Sequence, residues 1–198
     1  ETNYARIDPE ELPNFLKCLD NYHGHPLTRL AMQLMLLVFV RTRELTEAKW
    51  SEINLQDRLW KIPAERMKMR TPHIVPLSDQ AIKIIEELKQ YSLHSEFLFP
   101  GERDYKKPMS NNTILKALER MGYKNQMTGH GFRGLATTIL KEKQHLDEHV
   151  QLQLAHIKKS KTERAYDYAR HLEPRRQMMQ SWADYIDEIR AKNATKRD

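Results

Sequence analysis

Cysteine is nearly absent: Cys18 is the single one in 198 residues. A lone thiol closes no internal disulfide and offers no cysteine cluster for zinc, so a reducing compartment fits the chain. Long apolar runs are missing as well. The longest, residues 34–40, falls far short of the about 20 residues that a membrane helix needs, and there is no signal peptide. These absences imply a cytoplasmic protein without a membrane partner. Glycine is scarce, with six residues, and no glycine-rich loop of the kind that cradles nucleotide phosphates occurs. No acidic cluster suits a divalent ion, so neither a metal nor another cofactor is expected. Internal repeats and low-complexity segments are also missing.

What is present is charge. Charged residues make up 30% of the chain against 39% apolar, the formal net charge is +6 and the pI is about 9.3. That balance favours an acidic partner such as nucleic acid. The length suits one well-buried domain. Because the sequence opens on Glu1 rather than Met, it is expected to be a fragment of something longer.

Apolar periodicity predicts a mainly helical α+β fold. Asp8 and Pro9 open a helix carrying Leu12, Phe15, Leu16 and Leu19. His23 and His25 read as loop residues. Residues 28–40 are apolar on nearly every side and predict a central buried helix, which runs directly into Arg41, Arg43 and Glu44. Trp50 with Ile53, then Leu59, Trp60 and Ile62, then residues 74–77 read as three short antiparallel strands. Between the last two lie Arg66, Lys68 and Arg70, a basic linker suited to a phosphate backbone. Ser78 and Ser110 cap two further amphipathic helices, and Gly122 ends the second. A last helix from Pro174 carries Met178, Met179, Trp182, Tyr185, Ile186 and Ile189, a stripe that is either core or a surface for a neighbouring subunit. His171, Glu173, Arg175 and Arg176 read as a solvated helix start, and residues 193–198 as a frayed tail.

The stretch Gly129-His130-Gly131-Phe132-Arg133 sets an imidazole and a guanidinium three residues apart at the start of a helix continued by Leu135, Ile139 and Leu140. A positive helix end with these two side chains is a place for an anion, most simply a phosphate. The pair alone is weak. It gains weight beside Arg41-Thr-Arg43-Glu44, Met67-Lys68-Met69, His73-Ile-Val-Pro-Leu77, Leu154-Ala-His156 and Arg164-Ala-Tyr166.

Taken together these motifs resemble the catalytic domain of the tyrosine recombinases, or phage integrases, most nearly those of satellite phages and genomic islands. The resemblance runs from about residue 8 to residue 187. It implies a catalytic domain over residues 1–191 with a tail at 192–198, preceded in the whole protein by arm-binding and core-binding domains. It implies that Arg41 and Arg133 hold the non-bridging oxygens of a DNA phosphate, with Glu44 steadying Arg41. Lys68 would be the general acid, His130 would assist proton transfer, and His156 would hydrogen-bond the phosphate. Tyr166 would be the nucleophile, with Tyr168 two residues later as the alternative. Arg43, where the family commonly has glycine, would join Arg66, Arg70, Lys158 and Lys159 in touching DNA. The implied partners are double-stranded attachment sites and further copies of the chain, as a tetramer on DNA.

The chemistry asks for these residue types. Charge spreads over the equatorial oxygens of a phosphodiester in transfer, so fixed cations supply most of the catalysis. A phenol must be driven toward phenolate, and a departing alkoxide needs a proton. Two other readings remain open at this point: a DNA-binding module that uses the helix after Thr128 for base recognition, and a type IB topoisomerase.

Overall fold

In a computed structural model of the chain, residues 5–156 and 171–195 are described. Among them are eight α-helices and one three-stranded antiparallel sheet. No described helix is long and apolar enough to cross a membrane. The mainly α, α+β expectation holds.

Helix α2 (Pro26–Val38) is the spine. Proline at its first position and His25 Nδ1, which accepts from the Leu27 amide at 3.2 Å, start it. It packs against α1 (Leu12–Asp20), α3 (Thr42–Thr46), α4 (Asp79–Ser92), α5 (Asn111–Arg120), α6 (Gly129–Glu142) and α8 (Leu172–Thr195). Enclosure on so many sides explains why ten of its thirteen residues are buried. The helix stops at Phe39, which adopts a left-handed conformation with φ 37°. That costs a residue other than glycine roughly 1–2 kcal/mol. Burying the ring returns roughly 1.5–3 kcal/mol, and the Phe39 ring is fully buried, edge-on to Trp182 at 6.4 Å.

A helix end leaves carbonyls without intrahelical partners. Here three side chains take them. Trp182 Nε1 donates to Leu36 O at 2.8 Å, Gln153 Nε2 to Val38 O at 3.1 Å, and Arg133 Nη1 to Phe39 O at 2.9 Å. They come from α8, α7 (Asp147–Gln153) and α6, so the end of the spine gathers three other helices.

The sheet has the order β1 (Ile53–Asn54), β2 (Leu59–Ile62), β3 (His73–Pro76), with Trp60 opposite Val75 and Ile62 opposite His73. Trp50 is not in the first strand as expected. It lies in a 3-10 turn (Trp50–Glu52), where its indole donates to Ser92 O at 3.1 Å. Ser78 Oγ caps α4 and Ser110 Oγ caps α5, both as predicted, and Gly122 ends α5 at φ 90°.

Helix α8 buries Met178, Met179, Trp182, Ile186 and Ile189 against its own chain. Of the two readings of that stripe, core is the one the structure realises. The helix also runs further than expected, to Thr195, with Asn193 Nδ2 donating to Pro13 O at 2.9 Å.

Candidate active site

The connection from α2 to α3 fixes Arg41. The Glu44 carboxylate accepts from the Arg41 backbone amide at 2.9 Å and from its Nη1 at 2.8 Å. One buried carboxylate thus holds both the chain and the guanidinium. Beneath it, Arg66 Nη2 donates to the Glu44 carbonyl oxygen.

Thr128 Oγ1 caps α6 by accepting from the Gly131 amide at 3.1 Å. The helix start then comes so close to α3 that a Cβ on Gly129 would collide with the Thr42 hydroxyl. Glycine at 129 is what lets His130 approach Arg41. Arg133, one turn on, is 4% exposed. It donates from Nη1 to Phe39 O, and from Nη2 to Leu154 O at 2.8 Å and His156 Nε2 at 3.0 Å. Burial first, then the neighbouring Arg41 guanidinium, lowers its pKa to about 10, so it stays charged at neutral pH.

His156 owes its position to the end of α7. Its amide donates to Gln151 O and the Ala155 amide to Leu152 O, both at 3.1 Å, which is the double bond pattern of a Schellman cap. Ala155 is the left-handed residue of that cap, at φ 51°. An arginine can only donate, so His156 Nε2 is the acceptor and the ring proton sits on Nδ1. Partial burial, then Arg133, Arg41 and His130, push this imidazole down to about 4. His130 is lowered too, by burial, then Arg133 and Arg41, with Lys68 adding a smaller push and Glu44 opposing. Four side chains from three separate stretches therefore share one basin and act on one another's charge. Both imidazoles are neutral at pH 7, and two fixed guanidinium groups supply the positive field.

Lys68 is exposed on the turn between β2 and β3 and lines an open cleft of about 460 Å³ with Arg41, Arg43 and Arg70. Arg43, with a side chain 76% exposed, pairs with Glu47 at 2.7 Å. Arg66 corrects an expectation. It borders the same cleft, but its Nη1 meets the buried Glu52 carboxylate at 2.5 and 2.6 Å, and Trp60 Nε1 shares that carboxylate at 2.9 Å. Its guanidinium is taken up inside the protein. Tyr166, Tyr168, Lys158 and Lys159 lie outside the described residues.

Sequence motifs assign no role to the layer below the basin. Gln153 is fully buried between Val38 O and Arg175. His73 Nε2 donates to Gln153 O at 3.0 Å, and burial, then Arg175 and Arg133, keep His73 far below the usual histidine range. Arg175 is a second correction. It was expected in solvent, and it is fully buried. In α6 the side chains of Phe132, Arg133, Leu135, Ala136, Ile139 and Leu140 are all buried. Its first turns are thus packed into the protein, which removes the premise of a groove-reading recognition helix.

Comparison with known proteins places the chain in a family. The profile of the phage integrase family matches residues 5–173. The integrase of Enterobacteria phage P4 is 42% identical over 206 residues, covering 96% of this chain and 47% of that protein. This chain thus spans about half the length of the curated relatives it matches. Among solved structures, an integrase from mycobacterium phage Brujita shares the fold with a TM-score of 0.66 at 16% identity, covering 91% of this chain and 58% of that one. A lambda integrase tetramer bound to a Holliday junction gives 0.61 at 25% identity, covering 82% and 49%.

Proposed function

Because the chain belongs to the phage integrase family, we propose that it is the catalytic part of a site-specific DNA recombinase that integrates and excises a mobile element. The observation that carries this reading is the shared basin of Arg41, His130, Arg133 and His156. Arg41 and Arg133 hold the non-bridging oxygens of the scissile phosphodiester and neutralise the charge that grows on them. The Tyr166 oxygen attacks phosphorus, forming a 3′-phosphotyrosine and breaking the bond to the 5′ oxygen. Lys68 gives that oxygen its proton. His130, neutral at pH 7, takes the phenolic proton. His156, also neutral, hydrogen-bonds the phosphate. Religation runs the same steps backward, so the bond energy is kept in the covalent intermediate.

Arg43, Lys68, Arg70, Lys158 and Lys159 are the groups proposed to meet the DNA backbone, which makes binding steeply salt-dependent. The working assembly is a tetramer on two duplexes, by analogy with the lambda integrase tetramer. It acts in the bacterial cytoplasm, where its DNA is.

A pool of nicked duplexes of random sequence tests the reading without knowledge of the attachment site. A nick beside the cut releases a short strand and traps the covalent adduct. Denaturant-resistant protein–DNA adducts are expected from the wild type, absent from Tyr166→Phe and retained by Tyr168→Phe. Adducts that survive Tyr166→Phe would refute the assignment of the nucleophile, and no adduct from any duplex would refute the recombinase reading itself.

A further inference from the structure

Arg175 stands in the first turns of α8 with none of its surface exposed. That is an unfavourable place for a cation, since the helix start is itself positive. Its Nη2 donates at 2.6 Å to Ile74 O on β3 and at 2.6 Å to Gln153 Oε1, the last residue of α7. These two acceptors are neutral. An aliphatic side chain would fill the same space without the cost of stripping water from a guanidinium, so packing alone does not account for an arginine here.

Its bonds lead somewhere definite. The Gln153 amide is held at both ends, its oxygen by Arg175 and its nitrogen on Val38 O at 3.1 Å, while its backbone carbonyl accepts from His73. The next residue, Leu154, presents the carbonyl that anchors Arg133 Nη2, and two residues later His156 meets the same nitrogen. Between them Ala155 is left-handed without being glycine, a turn that needs outside support. In sequence, residues 157–170 join α7 to α8, so the Arg175–Gln153 bond also ties together the two ends of the stretch that carries Tyr166.

We infer that Arg175 is a positioning residue for the basin: acting through Gln153, it fixes the turn 154–156 and so sets where His156 and the Arg133 guanidinium stand. This deepens the recombinase reading, and its activity arm rests on that reading. The replacement of Arg175 by methionine keeps the volume and removes both bonds. Arg175→Lys keeps a cation able to reach one or both acceptors.

The test uses the full 198-residue chain. The first readout is the NMR titration of the His156 ring. It is expected to stay neutral to about pH 4 in the wild type, to move up toward 6.5 in Arg175→Met and in Gln153→Met, and to return toward the wild-type value in Arg175→Lys. The second is single-turnover adduct formation on a duplex recovered from the random pool. It should slow roughly 10–100-fold in the two methionine variants, the scale of an ångström-sized misplacement, with duplex affinity changed less than about 3-fold. The double variant should be no slower than the worse single, because the two residues act in series.

An unshifted His156 titration and a wild-type rate in Arg175→Met would overturn the inference. So would loss of tertiary structure in both methionine variants, which would make the pair a folding determinant and nothing more. If the wild type forms no adduct at all, the recombinase reading fails, and the titration still decides the positioning role.

Discussion

Arg66 and Lys68 stand two residues apart, yet the guanidinium of the first is enclosed against Glu52 and the Glu44 carbonyl, whereas the second is exposed along an open cleft. The same contrast divides the whole basin. Its floor, made of Arg133, Gln153, His73 and Arg175, is buried, and each side chain there is fixed by bonds to backbone oxygens. Its rim, made of Arg43, Lys68 and Arg70, is exposed. A charge that must stabilise a transition state gains from being held before the substrate arrives. In the proposed reaction the rim supplies a proton donor and backbone contacts, which have to adjust to an incoming duplex. The floor therefore couples chemistry to stability, and the rim leaves the two independent.

The sharpest way to break that division is to change one residue on each side of it. Lys68→Met is expected to slow adduct formation roughly 10²–10⁴-fold, the usual worth of a general acid. Its unfolding free energy should stay within about 0.5 kcal/mol of wild type, as for exposed positions generally. Arg66→Ala should behave in the opposite manner, losing roughly 3 kcal/mol of stability in urea titration because Glu52 is left buried without its cation. Equal stability losses in the two variants would abolish the distinction.

A pH series sharpens it next. His73, His130 and His156 all have folded pKa values below the ordinary 6.5. Below 6.5 the unfolded chain takes up protons that the folded chain refuses, so stability falls with falling pH. The contribution is complete above pH 6.5 and declines from there toward pH 4. Glu119 and Asp147, whose carboxyls are also lowered by lysine partners, act in the same direction but only below their ordinary 4.5 and 3.8. The thermal midpoint is expected to drop between pH 6.5 and 5, before any carboxylate titrates. A midpoint flat over that interval would contradict the lowered imidazoles.

The smallest effect belongs to Ala155. Glycine there removes the left-handed penalty, and a gain of roughly 0.5–1 kcal/mol is expected from Ala155→Gly, read as a higher urea midpoint. A loss would mean that the methyl group does more for the turn than its conformation costs.

Much of this was legible in the sequence, for identifiable reasons. Helices α2, α4, α5 and α6 follow apolar periodicity and carry cap residues where side chains do cap. Arg41, His130, Arg133 and His156 were legible as a set through their motifs. The floor was not. Arg66 reads as a contact for DNA and Arg175 as solvated because hydropathy assigns charge to the surface, and nothing local reveals that an acid or a carbonyl waits inside. The acceptors are backbone oxygens of Leu36, Val38, Phe39, Ile74 and Leu154, which leave no mark in the sequence at all. Trp50 reads as strand because its aromatic side chain suits one, while its indole is satisfied by Ser92 O from α4.

The three carbonyls at the end of α2 have a consequence for what this chain tolerates over time. Each residue added to a helix rotates everything beyond it by about 100°. One extra residue within Pro26–Val38 would swing Leu36, Val38 and Phe39 away from the donors on α8, α7 and α6 together. Exposed turns tolerate added residues far better, but the spine cannot change its count by one. Its length is locked to the angular phase at which three neighbouring helices meet its end.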